Sequence, residues 1–148
     1  MIDQTLSDRA LLVIDMVDSI EENAKKLIPL IQGEMQYFRE RHRPVLYTSI
    51  GQSKILQELS PRPSEAVFNR PSHSAFFQTP LESILRELHV RKITLVGLYT
   101  HTSILLTVAD ALARNYEVIV PETCVYAPYQ HDHQYALHLI KNHWAKPL

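Results

Sequence analysis

A single cysteine, Cys124, stands in this chain of 148 residues, which excludes an internal disulfide and fits a reducing cytosol. Charge of one sign is also missing: 15 basic side chains against 16 acidic ones leave a formal charge of −1, with no basic run and no block of like charge. A phosphate-neutralising surface is therefore disfavoured, and nucleic acid is not an expected partner. No stretch approaches the roughly 18 consecutive apolar residues that a membrane span requires, so no membrane partner is expected. The N-terminus carries Asp3 and Asp8 and lacks the basic-then-apolar order of a secretory signal. What is present is the composition of an ordinary globular protein, 45% hydrophobic and 21% charged, at a length that buries a substantial core. The expectation is one domain, residues 1–148, in the cytoplasm.

Ala10 to Ile14 is an uninterrupted apolar run, the pattern of a strand buried on both faces, and Asp15 ends it. Ser19 and Glu22 stand at capping-box spacing and predict a short helix before Pro29. Pro29 suits the first position of a helix with Ile31, Met35 and Phe38 as its buried stripe. Arg41, His42 and Arg43 crowd the end of that helix, and Pro44 stops it. Val45 to Thr48 reads as a second strand. Residues 51–64 are polar and proline-bearing, with one helical turn around Ile55 to Leu59, and Ala66 to Phe68 reads as a third strand. Thr79-Pro80-Leu81-Glu82 predicts a helix start with a capping threonine and a proline in first position; Leu81, Ile84, Leu85 and Leu88 are its buried face. A fourth strand (92–98), a helix (101–114), a fifth strand (117–121) and a last helix (130–143) complete the chain. Apolar strands alternating with helices mean a parallel sheet covered on both faces, a three-layer α/β/α domain.

Three segments carry a more specific pattern: Leu12-Val13-Ile14-Asp15-Met16; Arg70-Pro71-Ser72-His73-Ser74-Ala75-Phe76 with Thr79-Pro80-Leu81 behind it; and Gly97-Leu98-Tyr99-Thr100-His101-Thr102-Ser103. In this order and spacing they resemble the isochorismatase-like hydrolase (cysteine hydrolase) superfamily over nearly the whole chain. The resemblance implies a doubly wound sheet of order 3-2-1-4-5. A crevice then opens at the carboxyl ends of strands 1 and 4, where the order reverses. It also implies a triad of Asp15, Arg70 and Ser103, oxyanion-binding backbone at Tyr99 and Thr100, and a cis peptide between Leu98 and Tyr99. His73 and Phe76, in the second motif, are further candidate substrate contacts, and His101 is a candidate ligand contact. A crevice plugged by Tyr99, Phe76 or Phe77 would instead speak for a structural role.

Two triad positions depart from the superfamily pattern. Ser103 occupies the slot of the nucleophilic cysteine, and a serine hydroxyl is far harder to ionise than a thiol. Arg70 occupies the slot of a lysine; it stays charged and can orient an anion but cannot shuttle a proton. Thiol-dependent amide hydrolysis is therefore not expected. Two readings stay open. One is cofactor-independent general-acid hydrolysis of a small anionic substrate by Asp15 and Arg70, as the resemblance implies for the isochorismatases proper. The other is a non-catalytic member that binds a ligand or a protein partner, in a homo-oligomer as is common for this fold. No cofactor is expected, nor a metal: the stretch from Thr48 to Ser53 lacks the Asp-x-His pair of the nicotinamidase branch.

Each candidate also has a plainer role. Asp15 can be a turn residue, Arg70 a structural partner of Asp15, and Ser103 an ordinary first-turn hydroxyl. His131, His133 and His138 read as a cluster where a helix begins rather than as metal ligands. Cys124 reads as a small buried side chain. Ile104, Val108, Ala111 and Leu112 form a stripe for core packing or a subunit contact.

Overall fold

The computed structural model describes residues 8–144. Strand β1 (Arg9–Ile14) leads through a 3-10 turn (Glu22–Leu27) into helix α1 (Ile28–Glu40) and strand β2 (Val45–Ile50). A second 3-10 turn (Gln57–Leu59) precedes strand β3 (Val67–Arg70), helix α2 (Leu81–Glu87) and strand β4 (Lys92–Leu98). Then come a π-helical turn (Thr100–Ile104), helix α3 (Leu105–Ala113) and strand β5 (Glu117–Ile119). A 3-10 turn (Glu122–Cys124), strand β6 (Val125–Tyr126), helix α4 (Gln130–Leu139) and a final π-helical turn (Ile140–Trp144) end the described chain.

All strand pairs are parallel, and the order is β3-β2-β1-β4-β5, as expected. Strand β1 divides its side chains between two cores. Ala10, Leu12 and Ile14 join Leu81 and Leu85 of α2 and Val108 and Ala111 of α3 on one face. Leu11 and Val13 join Ile31, Met35 and Phe38 of α1 on the other. Every residue of the run is buried because both faces are covered, which gives three layers. Among the described residues, no helix is long and apolar enough to cross a membrane.

Several local expectations need correction. Ser19 caps nothing: the turn behind it is a 3-10 helix opening after Glu21, without a side-chain cap. Pro29 takes the second position of α1, since Ile28 opens the helix. Helix α2 begins at Leu81, one residue after Pro80, although the Thr79 hydroxyl still accepts the Leu81 N–H at 3.3 Å. Leu88 closes that helix 42% exposed instead of in the core. Strand β6 went unread because two residues carry no periodicity. It continues the partner edge of β4 where β5 stops, pairing Val125 with Gly97 and Tyr126 with Leu98. Strand β3 runs on to Arg70 rather than ending at Phe68, and this places Arg70 at the carboxyl edge of the sheet.

Gly97 fixes the approach of β1 and β4 at that same edge. Its φ is +116°, and a Cβ there would lie 2.0 Å from the Ile14 carbonyl oxygen. Only glycine satisfies both conditions. We predict that Gly97→Ala destabilises the protein by about 3 kcal/mol or more, read as a lower urea midpoint, because backbone blocks the added methyl and no side chain can yield.

Candidate active site

Asp15 closes β1 in the left-handed region, φ +57°, a conformation that aspartate adopts more readily than bulkier residues. Its amide continues the parallel ladder by donating to the Thr48 carbonyl at 3.0 Å, while its own carbonyl accepts from Val17. The carboxylate is thus turned along the strand ends toward β2 and β3. There Ile50 N–H donates to Oδ1 at 3.2 Å. Arg70, in register with Ile50, reaches across β2 to the same group. Its fork is bidentate: Nη1 donates to Oδ1 and Nη2 to Oδ2, both at 2.7 Å.

Ser103 comes to this pair from the other side of β1. Beyond the cis peptide between Leu98 and Tyr99, the Tyr99 carbonyl accepts from both Thr102 and Ile104 at 3.1 Å. The second of these bonds spans five residues, the mark of a π turn. Ser103 lies in that turn 2% exposed, and Arg70 Nη2 donates to its Oγ at 2.6 Å. Arg70 Nε donates to the His73 carbonyl at 3.0 Å, so all three guanidinium nitrogens are engaged. The Arg70 side chain is 0% exposed and that of Asp15 20%. Exposed His73 lies above, with Nδ1 3.5 Å from Ser103 Oγ, the outer limit of a hydrogen bond.

The structure therefore gathers Asp15, Arg70, Ser103 and His73 into one cluster from three separate segments. Phe76 is not among them. Its ring lies in the core, 5.9 Å from the Tyr116 ring and under Arg114 at 4.9 Å, so the expected substrate contact is a packing residue. Its loop is pinned to α3 by Ser74, which donates to Asp110 at 2.5 Å, and by Ala75 N–H, which donates to Thr107. Tyr99 is half-buried, and its hydroxyl donates to Glu21 at 2.5 Å. That hydrogen bond first, then burial and nearby negative charge, push its phenol up to about 12, so it stays a donor at neutral pH.

Sequence reasoning missed two members of this surround. Glu21 gave no signal, because it is an acid in a polar connection. His133 was read only as a residue where a helix begins, yet its Nδ1 lies 2.8 Å from the hydroxyl of fully buried Thr100 and braces the π turn from α4. Burial, with Lys26 adding to it, lowers the His133 imidazole below its usual 6.5. Among the described residues, no three His, Cys, Asp or Glu side chains are grouped to hold a metal.

Comparison with known proteins agrees with this fold. Residues 9–148 match the isochorismatase domain. The isochorismatase family protein YaaI of Bacillus subtilis is 26% identical, the match covering 92% of this chain and 90% of that one. An isochorismatase-like hydrolase from Alkaliphilus metalliredigens superposes with a TM-score of 0.86 at 24% identity, over 92% of this chain and 90% of its own. The nicotinamidase SaPncA of Staphylococcus aureus gives 0.85 at 24% identity, over 92% and 95%. These two structures establish the shared fold.

Removing the guanidinium leaves a mostly buried carboxylate unpaired. Arg70→Met is expected to cost about 3 kcal/mol or more in urea unfolding, with Arg70→Lys recovering only part because an ammonium cannot form the fork. The His133 shift gives a pH prediction. The unfolded chain takes up this proton more readily than the folded one, so stability falls as the pH drops below 6.5. His133→Gln should flatten that part of the stability–pH curve; an unchanged slope would show that another group supplies it.

Proposed function

Because the chain belongs to the isochorismatase domain family, we propose that it keeps the family's hydrolase frame without thiol catalysis, as a cytoplasmic binding subunit of a homo-oligomer. Asp15, Arg70 and Ser103 serve in it as a closed clasp. The observation that carries this reading is the commitment of Arg70. A cation that steers a substrate needs donors free to turn toward it. Here four of its five N–H groups are held, two by Asp15, one by Ser103 and one by the His73 carbonyl, with none of the side chain open to solvent. Both oxygens of Asp15 accept from the fork, so neither presents an O–H for general-acid cleavage in this arrangement.

The only thiol lies elsewhere. Cys124 is 3% exposed, and burial raises its pKa, which opposes the thiolate that nucleophilic attack requires. Ser103 offers an oxygen that already accepts from Arg70.

One contact favours a second reading. With His73 Nδ1 unprotonated, the Ser103 O–H has an acceptor at 3.5 Å. In ester cleavage, Ser103 Oγ would attack the carbonyl carbon, His73 would take the hydroxyl proton and return it to the departing alcohol, and water would hydrolyse the acyl-serine.

A hydrolysis screen over amides, esters and enol ethers separates the readings. We expect no turnover by the wild type and the first measurable amide hydrolysis in Ser103→Cys, whose thiol would sit beside the guanidinium. Wild-type ester turnover abolished by Ser103→Ala and His73→Ala would replace the clasp by the serine mechanism. Enol-ether turnover lost in Asp15→Asn would replace it by general-acid catalysis.

A further inference from the structure

A cavity of about 470 Å³ opens between the 3-10 turn of residues 22–27, strand β6 and the start of α4. Tyr126, Ala127 and Pro128 form part of its wall, and Asn23, Lys26, Gln130 and His133 bring polar groups to it. Lys26 is exposed, yet its ammonium is kept over the Tyr126 ring, 5.3 Å from the centroid. His133 enters from α4. Its Nδ1 lies against the Thr100 hydroxyl at 2.8 Å, so Nε2 is the ring nitrogen left to a ligand. After burial, the charge of Lys26 is what lowers the His133 imidazole, so the two basic groups act on the same space.

Negative charge is missing from this wall. None of the residues lining the cavity is acidic. The acids nearest in sequence are committed elsewhere. Glu21, whose charge reaches the Tyr126 phenol, accepts from Tyr99 at 2.5 Å. Glu22 pairs with Lys25 at 3.0 Å, and Asp132 faces His101 at 3.9 Å. Among the described residues, Lys26 has no carboxylate partner. An ammonium and an imidazole that disfavour each other's charge are both satisfied by an anion between them.

We propose that this cavity binds a small oxyanion, a phosphate or a carboxylate, held by the Lys26 ammonium, by His133 Nε2 and by the side-chain amides of Asn23 and Gln130. The volume is that of a small-ligand site. The cavity shares no lining residue with the clasp of Asp15, Arg70 and Ser103, so the assignment does not depend on whether that clasp turns over a substrate. The two sites meet through the His133–Thr100 contact, which joins the cavity to the π turn that carries Ser103.

Titration of the ¹⁵N-labelled protein with inorganic phosphate and with acetate, against sodium chloride at matched ionic strength, tests this. Saturable shifts are expected at residues 23–27 and 125–133 with at least one of the two oxyanions and not with chloride. The bound anion should also move the His133 imidazole titration upward, because it favours the protonated ring. Lys26→Ala should weaken binding about 5-fold, the upper range for one exposed ion pair, and Lys26→Glu should abolish it. Lys26 is a surface residue, so both variants are expected to fold; Gln130→Glu, which places a carboxylate in the cavity, should likewise weaken binding. Absence of saturable shifts, equal shifts with chloride, shifts confined to Asp15, His73 and Ser103, or unchanged affinity in Lys26→Glu would overturn the site.

Discussion

The guanidinium fork between Arg70 and Asp15 joins strands that are not neighbours. It bridges β3 to β1 across the end of β2, whose Ile50 amide is drawn into the same network. Through Nη2 it also takes in the π turn after β4. One side chain thus ties together three segments at the edge where the strand order reverses. A parallel sheet gains no such link from its ladder, which joins adjacent strands only. The fork supplies it, with the guanidinium closed to solvent and the carboxylate mostly so.

That position depends on backbone as much as on charge. Gly97 lets β4 lie against the Ile14 carbonyl, so the turn that follows begins close to Asp15. The Tyr99 carbonyl then accepts two amides and sets the π turn that points Ser103 inward. Thr100 is braced by His133 from α4, and the Arg70 loop is held to α3 through Ser74 and Thr107. Each of the three side chains of the clasp, Asp15, Arg70 and Ser103, thus rests on a separately anchored segment.

The two buried arginines make a useful contrast. Arg70 has every nitrogen matched, and its charge is neutralised by a carboxylate at bonding distance. Among the described residues, no hydrogen-bond partner meets any nitrogen of Arg43. The residue with a motif around it is thus electrostatically complete, and the residue without one carries the open valence. The two lie at opposite ends of the sheet, Arg70 at its carboxyl edge and Arg43 where β2 begins.

Apolar runs and breaker residues made the layers, the strand sequence and the position of Asp15 legible, because burial on both faces of a sheet writes itself into consecutive residues. The motif order gave the family, and with it the strand order and the crevice. Neither local pattern could say that Arg70 belongs to β3, that Phe76 turns into the core, or that two residues form β6. Those outcomes depend on packing partners far away in sequence. The pairing that closes the clasp spans 55 residues and the Ser103 contact 33. Whether a charged side chain is answered or left unanswered is set by ångström distances between such segments, and a linear order of residues does not contain them.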